Sequence, residues 1–155
     1  MIRGDAMRCI EEIGRLQQTI RRLSDLPRQT AIEAQGPLNK LLQDEFRLGQ
    51  DPYGKPWAPV TQRTLAMRLK SRSPIPLTDT RELRDGTVVE ARAGGRAGLT
   101  IRLGAPYGYF HQVGFRVGSR PVPARPVLPD RGVPAAWKRV LEAAARRAAR
   151  RLVAR

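Results

Sequence analysis

A chain of 155 residues with 41% hydrophobic and 28% charged side chains is expected to form one globular domain. Its formal net charge of +15 favours an anionic partner, namely nucleic acid, an acidic protein surface or a membrane, although arginine-rich solvated helix faces explain the same excess. The single cysteine, Cys9, excludes an intrachain disulfide. Charged residues near the start of the chain argue against a signal peptide. The lack of about 18 consecutive apolar residues argues against a transmembrane helix.

Residues 1–48 are predicted to form a helical arm. In residues 5–26, apolar side chains recur at steps of three and four, which places them on one stripe of an amphipathic helix. The stripe consists of Met7, Ile10, Ile13, Leu16, Ile20 and Leu23. A second helix is expected to begin near residue 27. A third is expected from Pro37, because Gly36-Pro37 fits an N-cap followed by proline at the first helical position.

Residues 49–76 are predicted to be a packed loop followed by a short helix. Glycines and prolines prevent regular structure up to residue 60, but Tyr53 and Trp57 are large side chains that are expected to anchor the loop to the domain. Residues 61–72 are predicted to form a short helix capped by Thr61, with Leu65 and Leu69 buried. Residues 71–76 are expected to be a mobile loop.

Residues 77–129 are predicted to contain a small antiparallel sheet and a proline-rich arm. Apolar residues alternate with polar ones in residues 87–93 and again in residues 99–103, and Gly94-Gly95 and Gly98 supply a hairpin turn between them. Residues 107–113 are either a third strand or a short helix. Residues 117–128 contain three prolines, so they are expected to be extended but not to form a central strand.

Residues 130–155 are predicted to contain a basic C-terminal helix, which begins at Pro134. One face carries Trp137, Leu141, Ala144, Ala148 and Leu152. Other faces carry Lys138, Arg139, Arg146, Arg147, Arg150 and Arg151. The order of helical arm, antiparallel sheet and final helix predicts a single domain of the α+β class.

The chain offers few groups for catalysis. His111 is its only histidine, and its apolar neighbours favour a packed structural role over a place in a catalytic triad. No cluster has metal-ligand spacing, and Asp79, Glu82 and Asp85 lie beside threonines that suggest capping of a turn. Residues 94–98 lack the Lys-Ser/Thr ending of a phosphate-binding loop and are interpreted as a hairpin tip. We predict no catalytic residue, no metal and no cofactor.

Four sequence blocks follow the order of one known family. They are residues 51–59 with Thr64-Leu65, residues 76–85, residues 104–114 and residues 122–128. The first resembles the signature of the phage virion morphogenesis family, which includes the G protein of phage Mu and the S-type tail-completion proteins. The other three resemble its PL-x-x-TG-x-L, G-x-x-x-YA-x-x-HQ-x-G and IPARPFL blocks. Arg81 stands where the family usually has Gly, Gly108 replaces Ala, and Val127 replaces Phe.

The resemblance, which covers residues 45–140, implies a structural neck or tail-completion protein of a tailed bacteriophage. Such a protein is assembled in the host cytoplasm and lies in the virion at the head–tail junction. There it forms a ring, commonly of six copies and sometimes of twelve, around the channel for double-stranded DNA. Its other partners would be adjoining neck, connector or tail proteins, and no membrane is expected. The alternative from the residues alone is a small basic nucleic-acid-binding protein.

Interface or loop-anchoring roles are expected for seven residues: Tyr53, Trp57, Tyr107, His111, Pro123, Arg125 and Pro126. The segment 123–126 is stiff and has few backbone donors, which suits a fixed contact between subunits. Arg125 offers a planar set of donors for a carboxylate or for backbone carbonyls. The alternative is a proline-rich loop that returns the chain to the last helix.

The basic helix also has two interpretations. Its four clustered arginines, Arg146, Arg147, Arg150 and Arg151, could follow a phosphate backbone or bind an acidic protein. Alternatively, they form a solvated face whose aliphatic stems cover the alanine-rich surface.

Overall fold

The computed structural model of the protein describes residues 2–68, 73–92 and 96–154, with side chains from residue 11 onward. In chain order, its elements are α1 (Ile2–Leu23), α2 (Leu26–Leu48), α3 (Gln62–Ala66), α4 (Glu82–Gly86), β1 (Val88–Ala91), β2 (Leu99–Arg102), α5 (Gly108–Val113), β3 (Phe115–Val117), β4 (Arg120–Val122) and α6 (Ala135–Val153). The predicted α+β class is confirmed: N-terminal helices precede two small antiparallel sheets, and a helix follows them.

The long helices α2 and α6 pack against each other and form the centre of the domain. From α2, the buried apolar side chains are Ala31, Ala34, Leu38, Leu42 and Phe46. From α6, they are Trp137, Ala144 and Ala148. Small alanines on both helices allow a close approach of the two axes, because the side chains at a contact set the interaxial distance.

The predicted third helix is wrong, because α2 continues through Gly36 and Pro37 to Leu48. Proline inside a helix removes one backbone hydrogen bond and costs about 3 kcal/mol or more. The packing of α2 compensates for this cost. Apolar residues on both sides of Pro37, from Ala31 to Phe46, are buried along the same face of the helix. Tertiary burial thus overrides the local signal for a helix start.

The predicted hairpin is confirmed, since β1 and β2 pair antiparallel from Val88 opposite Arg102 to Ala91 opposite Leu99. The predicted turn glycines, Gly94-Gly95, lie outside the described residues. The free edge of β1 is bound by side chains of α2. Asn39 donates to Val89 O and accepts from Val89 N, both at 2.8 Å, and Gln35 accepts from Ala91 N at 3.0 Å. These amides occupy the edge where a further strand could otherwise add.

The remaining predictions are partly confirmed. Thr61 caps α3, and its hydroxyl accepts from Thr64 N at 3.2 Å, but Leu65 is only half-buried and Leu69 lies outside the described residues. Residues 108–113 form a helix, not a strand. Within the described ranges, the proline-bearing strand β4 pairs with β3 alone, which fits the edge position that proline favours. None of the helices in the described part of the chain has the length and apolar content needed to cross a membrane.

Candidate functional site

The loop between α2 and α3 is closed by the carboxylate of Asp51. This side chain is buried, and its Oδ1 accepts hydrogen bonds from Tyr53 N at 2.9 Å and Lys55 N at 2.8 Å. The backbone of Asp51 also donates to Lys55 O at 2.8 Å. Aspartate favours such tight turns because its short side chain reaches backbone donors two to four residues ahead. The loop therefore presents Tyr53 and Trp57 in fixed positions.

Trp57 and Tyr53 join this loop to distant parts of the chain. Trp57 is 6% exposed, packs edge-on against Phe46 at a ring distance of 5.6 Å, and donates from Nε1 to Pro126 O at 2.8 Å. The Tyr53 hydroxyl donates to Gly132 O at 3.0 Å and accepts from Arg131 N at 2.7 Å. The loop is thus tied to the proline-rich arm and to the segment before α6.

Arg125 lies inside the domain and locks the same loop from the other side. Only 7% of the residue is exposed. Its Nε donates to Ala58 O at 2.8 Å, its Nη2 donates to Pro59 O at 3.2 Å, and its backbone N donates to His111 O at 2.7 Å. Burial, and secondarily the charge of Arg68, lower the pKa of Arg125. The Arg125 guanidinium therefore binds carbonyls of its own chain. Of the two prolines in the same segment, Pro123 is exposed and Pro126 is half-buried.

Gln112 is a further anchor that sequence reasoning missed. Its Oε1 accepts from Val127 N and from Leu128 N, both at 2.9 Å, and its Nε2 donates to Leu128 O at 2.9 Å. One amide thus satisfies three backbone groups of an extended segment that pairs with no described strand. The sequence feature that could have identified Gln112 is its position beside His111 in the third block.

His111 and Tyr107 form the aromatic edge of this site. The His111 ring lies edge-on to Tyr107 at 6.0 Å and to Phe115 at 5.6 Å, and its buried Nδ1 has no hydrogen-bond partner in the described part of the chain. Burial, and secondarily the charge of Arg125, lower the pKa of His111, so a neutral ring is favoured. Tyr107 is partly exposed, and its hydroxyl is 3.5 Å from Glu82 Oε2.

The C-terminal arginines divide into two pairs. Arg147 and Arg151 both form ion pairs with Glu33 of α2, the first at 3.4 Å between Nε and Oε2. Arg146 and Arg150 are exposed and form no ion pair within the described residues. Only the second pair is therefore free to bind an external anion.

Glu45 is a second group that the sequence analysis did not single out. It is 7% exposed on α2, and its Oε1 accepts from Trp137 Nε1 at 2.9 Å, while its Oε2 has no hydrogen-bond partner among the residues that the structure describes. Burial raises the pKa of Glu45 from 4.5 to about 7; the Trp137 hydrogen bond opposes this rise and the charge of Asp51 adds to it. Its spacing from Leu38 and Leu42 indicates the buried face of α2.

The described residues contain no group of three or more His, Cys, Asp or Glu placed to share a metal ion. Comparisons of the chain with protein-family models, with curated proteins and with solved structures found no significant match. The geometry of the site is therefore the basis for any functional proposal.

Replacing Arg125 with Lys is expected to weaken the fold and, with it, assembly. An ammonium group lacks the fork that reaches two successive carbonyls, so Ala58 O or Pro59 O loses its donor. Loss of a buried hydrogen bond to a charged group costs about 1.5–3 kcal/mol. Urea unfolding would measure this loss, with Arg120→Lys on the exposed hairpin as the matched control. Equal stability and equal particle assembly for Arg125→Lys would show that charge alone is needed.

Proposed function

We propose that the protein is a structural neck or tail-completion subunit of a tailed bacteriophage, which forms a ring at the head–tail junction and allows heads and tails to join. The observation that carries this proposal is the interlocking of the four blocks that carry the family resemblance. They are separate in the sequence, and each of them packs against another in the folded chain.

The contacts between the blocks are specific. The first and fourth blocks meet where Trp57 donates to Pro126 O and where Arg125 donates to Ala58 O and Pro59 O. The third and fourth meet through the three hydrogen bonds of Gln112. The second and third meet where Gly108 lies against Leu83: a Cβ added at Gly108 would be 2.8 Å from Leu83 Cδ1. A motif set that builds one structural unit supports the resemblance more strongly than four unrelated matches.

The backbone at Arg81 gives separate support. Its φ of 64° lies in the left-handed region, which favours glycine. The family usually has glycine at the position that Arg81 occupies. Arg81 therefore adopts the backbone conformation that a glycine would adopt at this turn. A residue with a side chain is less stable than glycine in that conformation.

Exposed apolar side chains in the third block and directly after it suit a subunit that neighbours cover. On α5, Tyr109 is 62% exposed, Phe110 53% and Val113 56%, and Val117 on β3 is 62% exposed. Large exposed apolar surfaces usually mark interaction sites, and the Phe110 ring contacts the rings of Tyr109 and Phe115 edge-on. Ring formation and stacking against adjoining neck or tail proteins would cover them.

The direct test is a phage that encodes this chain and carries an early stop codon in its gene. We expect DNA-filled heads and separate tails that do not join, with joining restored by supply of the intact chain. Cryo-electron microscopy of complemented particles should show a ring of this chain at the neck or tail end. Normal joining in the absence of the chain would refute the proposal.

The second candidate is a small basic nucleic-acid-binding protein, and the free pair Arg146 and Arg150 favours it. Tight, salt-sensitive binding of double-stranded DNA by the isolated chain would support this function. In the ring proposal, six copies carry a formal charge of +90, six times the +15 of one chain, which opposes ring closure unless anions neutralise the charge or it faces outward into solvent and salt. DNA must slide through the channel, so we favour acidic surfaces of adjoining proteins as the anions.

We expect that replacing Arg146, Arg147, Arg150 and Arg151 with Gln gives tails and filled heads that fail to join. The structure allows the two pairs to be tested separately. Arg146→Gln with Arg150→Gln should reproduce the defect, because these groups form no ion pair with any described residue. Arg147→Gln with Arg151→Gln should cost at most about 1 kcal/mol of stability, since exposed ion pairs contribute little. Normal joining with faulty DNA retention would assign the helix to the channel, and normal phage would assign it to solvent.

A further inference from the structure

A polar pocket with a volume of about 320 Å³ lies between α2, residues 73–78 and the start of α4. Its lining contains three arginines, Arg47, Arg81 and Arg84, and one carboxylate, Asp44. These charges sum to +2, three cations less one anion, and the sum is still +1 when Asp85, the ion-pair partner of Arg84, is included. A concave site with an excess of positive charge attracts an anion.

Arg81 is the lining arginine that the fold leaves unpaired. It is exposed and forms no hydrogen bond or ion pair with any described residue. Arg47 donates to Asp44 from Nε and Nη2, at 3.2 and 3.1 Å, and Arg84 donates to Asp85 from Nε at 2.6 Å. A guanidinium has more N–H donors than these bonds use. All three arginines therefore offer donors to an anion in the pocket.

Hydrogen bonds order the walls of the pocket before a ligand binds. Gln43 of α2 donates to Arg84 O at 3.0 Å, and the Thr78 hydroxyl donates to Ile75 O at 2.7 Å. Arg68 donates from Nη2 to the same Ile75 O at 3.0 Å. A site that is already ordered binds its ligand at a lower cost in entropy.

The backbone beside the pocket is strained at two positions. Leu77 and Arg81 have φ angles of 61° and 64°, and among the described residues they are the non-glycine residues with positive φ. Residues held in this region cost free energy, and they are concentrated at active sites and ligand-binding sites. At Arg81, the strained residue is also the unpaired cation.

We propose that this pocket binds one carboxylate of an acidic partner protein, with Arg81 as the principal donor and Arg47 and Arg84 as further donors. Planar guanidinium groups match the two oxygens of a carboxylate. The net charge of +15 makes an acidic protein complementary to the whole chain. Ile75 in the lining supplies an apolar contact for the aliphatic stem that carries the carboxylate.

Carboxylates at the pocket argue against a DNA backbone as the ligand. Asp44 lines the pocket, Asp85 pairs with Arg84, and Glu82 directly follows Arg81 in the sequence. A row of phosphates that crosses the pocket would meet these negative charges as well as the arginines. A single carboxylate carries one charge, which the +2 of the lining more than balances.

The inference rests on the proposed neck function for the source of the acidic protein, but the pocket is tested on the isolated full chain. The probe is N-acetyl-glutamate whose α-carboxyl group is blocked as the methylamide, and the equivalent glutamine compound is its neutral control. NMR titration follows the arginine Nε–H signals, and Arg81→Gln identifies the signal of Arg81. We expect a saturable shift of this signal with a dissociation constant of about 1 mM, as ligand size implies, and no shift with the glutamine compound.

Arg81→Gln should weaken binding of the blocked glutamate by at least about tenfold, measured on the Arg84 signal, because a charge-assisted pair is lost. Arg120→Gln on β4 removes an exposed arginine outside the pocket and should leave binding unchanged. Asp44→Asn should tighten binding by up to about fivefold, because it releases Arg47 from an exposed ion pair. No saturable shift in the parent chain, or equal binding by Arg81→Gln and Arg120→Gln, would overturn the inference.

Two further ligands identify the source of the anion. N-acetyl-leucine carries its carboxylate at a chain terminus, so tighter binding than the blocked glutamate would assign the pocket to a protein C-terminus, and weaker binding to an acidic side chain. A shift of the Arg81 signal with inorganic phosphate or a short DNA duplex, but with neither carboxylate, would overturn the inference.

The two proposals fail separately. Carboxylate binding together with normal head–tail joining in the stop-codon phage would refute only the neck function. Failed joining in that phage, with no carboxylate binding by the isolated chain, would overturn only the inference about the pocket.

Discussion

Replacing Trp57 with Ala should lower the free energy of unfolding by about 3–5 kcal/mol, the usual cost of removing a large buried aromatic side chain. The ring is 6% exposed, lies edge-on to Phe46, and supplies the hydrogen bond from Nε1 to Pro126 O. Its loss would open a cavity and leave that carbonyl without its donor. Urea unfolding of the purified chain measures the effect, and particle assembly should fail in parallel.

Two variants serve as controls for Trp57→Ala. Trp57→Phe retains an aromatic ring but has no N–H, so it should lose about 1–3 kcal/mol from the unpaired carbonyl. Tyr53→Phe removes a hydroxyl from a partly exposed side chain and should cost less than Trp57→Ala. If Trp57→Ala unfolds at the same urea concentration as the parent chain and assembles normally, the aromatic ring does not anchor the loop.

The second large effect concerns the pH dependence of stability, for which Glu45 is responsible. Its pKa is raised by burial from 4.5 to about 7 in the folded chain. The folded state therefore holds the Glu45 proton more tightly than the unfolded state does. The contribution to stability is fully present below about pH 4.5 and is lost as the pH rises to about 7. At about 1.4 kcal/mol per pH unit, the loss amounts to about 3 kcal/mol.

Glu45→Gln should remove this part of the pH dependence. Glutamine keeps an oxygen acceptor for Trp137 Nε1, and it cannot ionise. Unfolding free energies at pH 5 and pH 8.5 should therefore differ by about 3 kcal/mol more in the parent chain than in the variant. Glu142→Gln, on the exposed side of α6, is the control and should follow the parent chain. Parallel pH profiles for Glu45→Gln and the parent would mean that Glu45 is not protonated in the fold.

Several features of the fold follow directly from local sequence patterns. The period of apolar residues predicted α1 and α6, alternation predicted the β1–β2 hairpin, and Thr61 identified the start of α3. Among the site residues, Trp57 and Arg125 stood out because large or multidentate side chains in proline-rich segments need partners. Such signals depend on neighbours within a few residues, so a single sequence contains them.

Tertiary structure alone decided which distant groups meet. Pro37 lies within α2 because burial from Ala31 to Phe46 outweighs the local helix-start signal. Gln112 and Glu45 acquire their roles only when separate segments of the chain pack together and bury polar groups that then need partners. The amphipathic period of α1 is visible in the sequence. That its stripe residues Ile13, Leu16 and Ile20 stay exposed is decided by the tertiary structure, in which α2 and α6 fill the core without them.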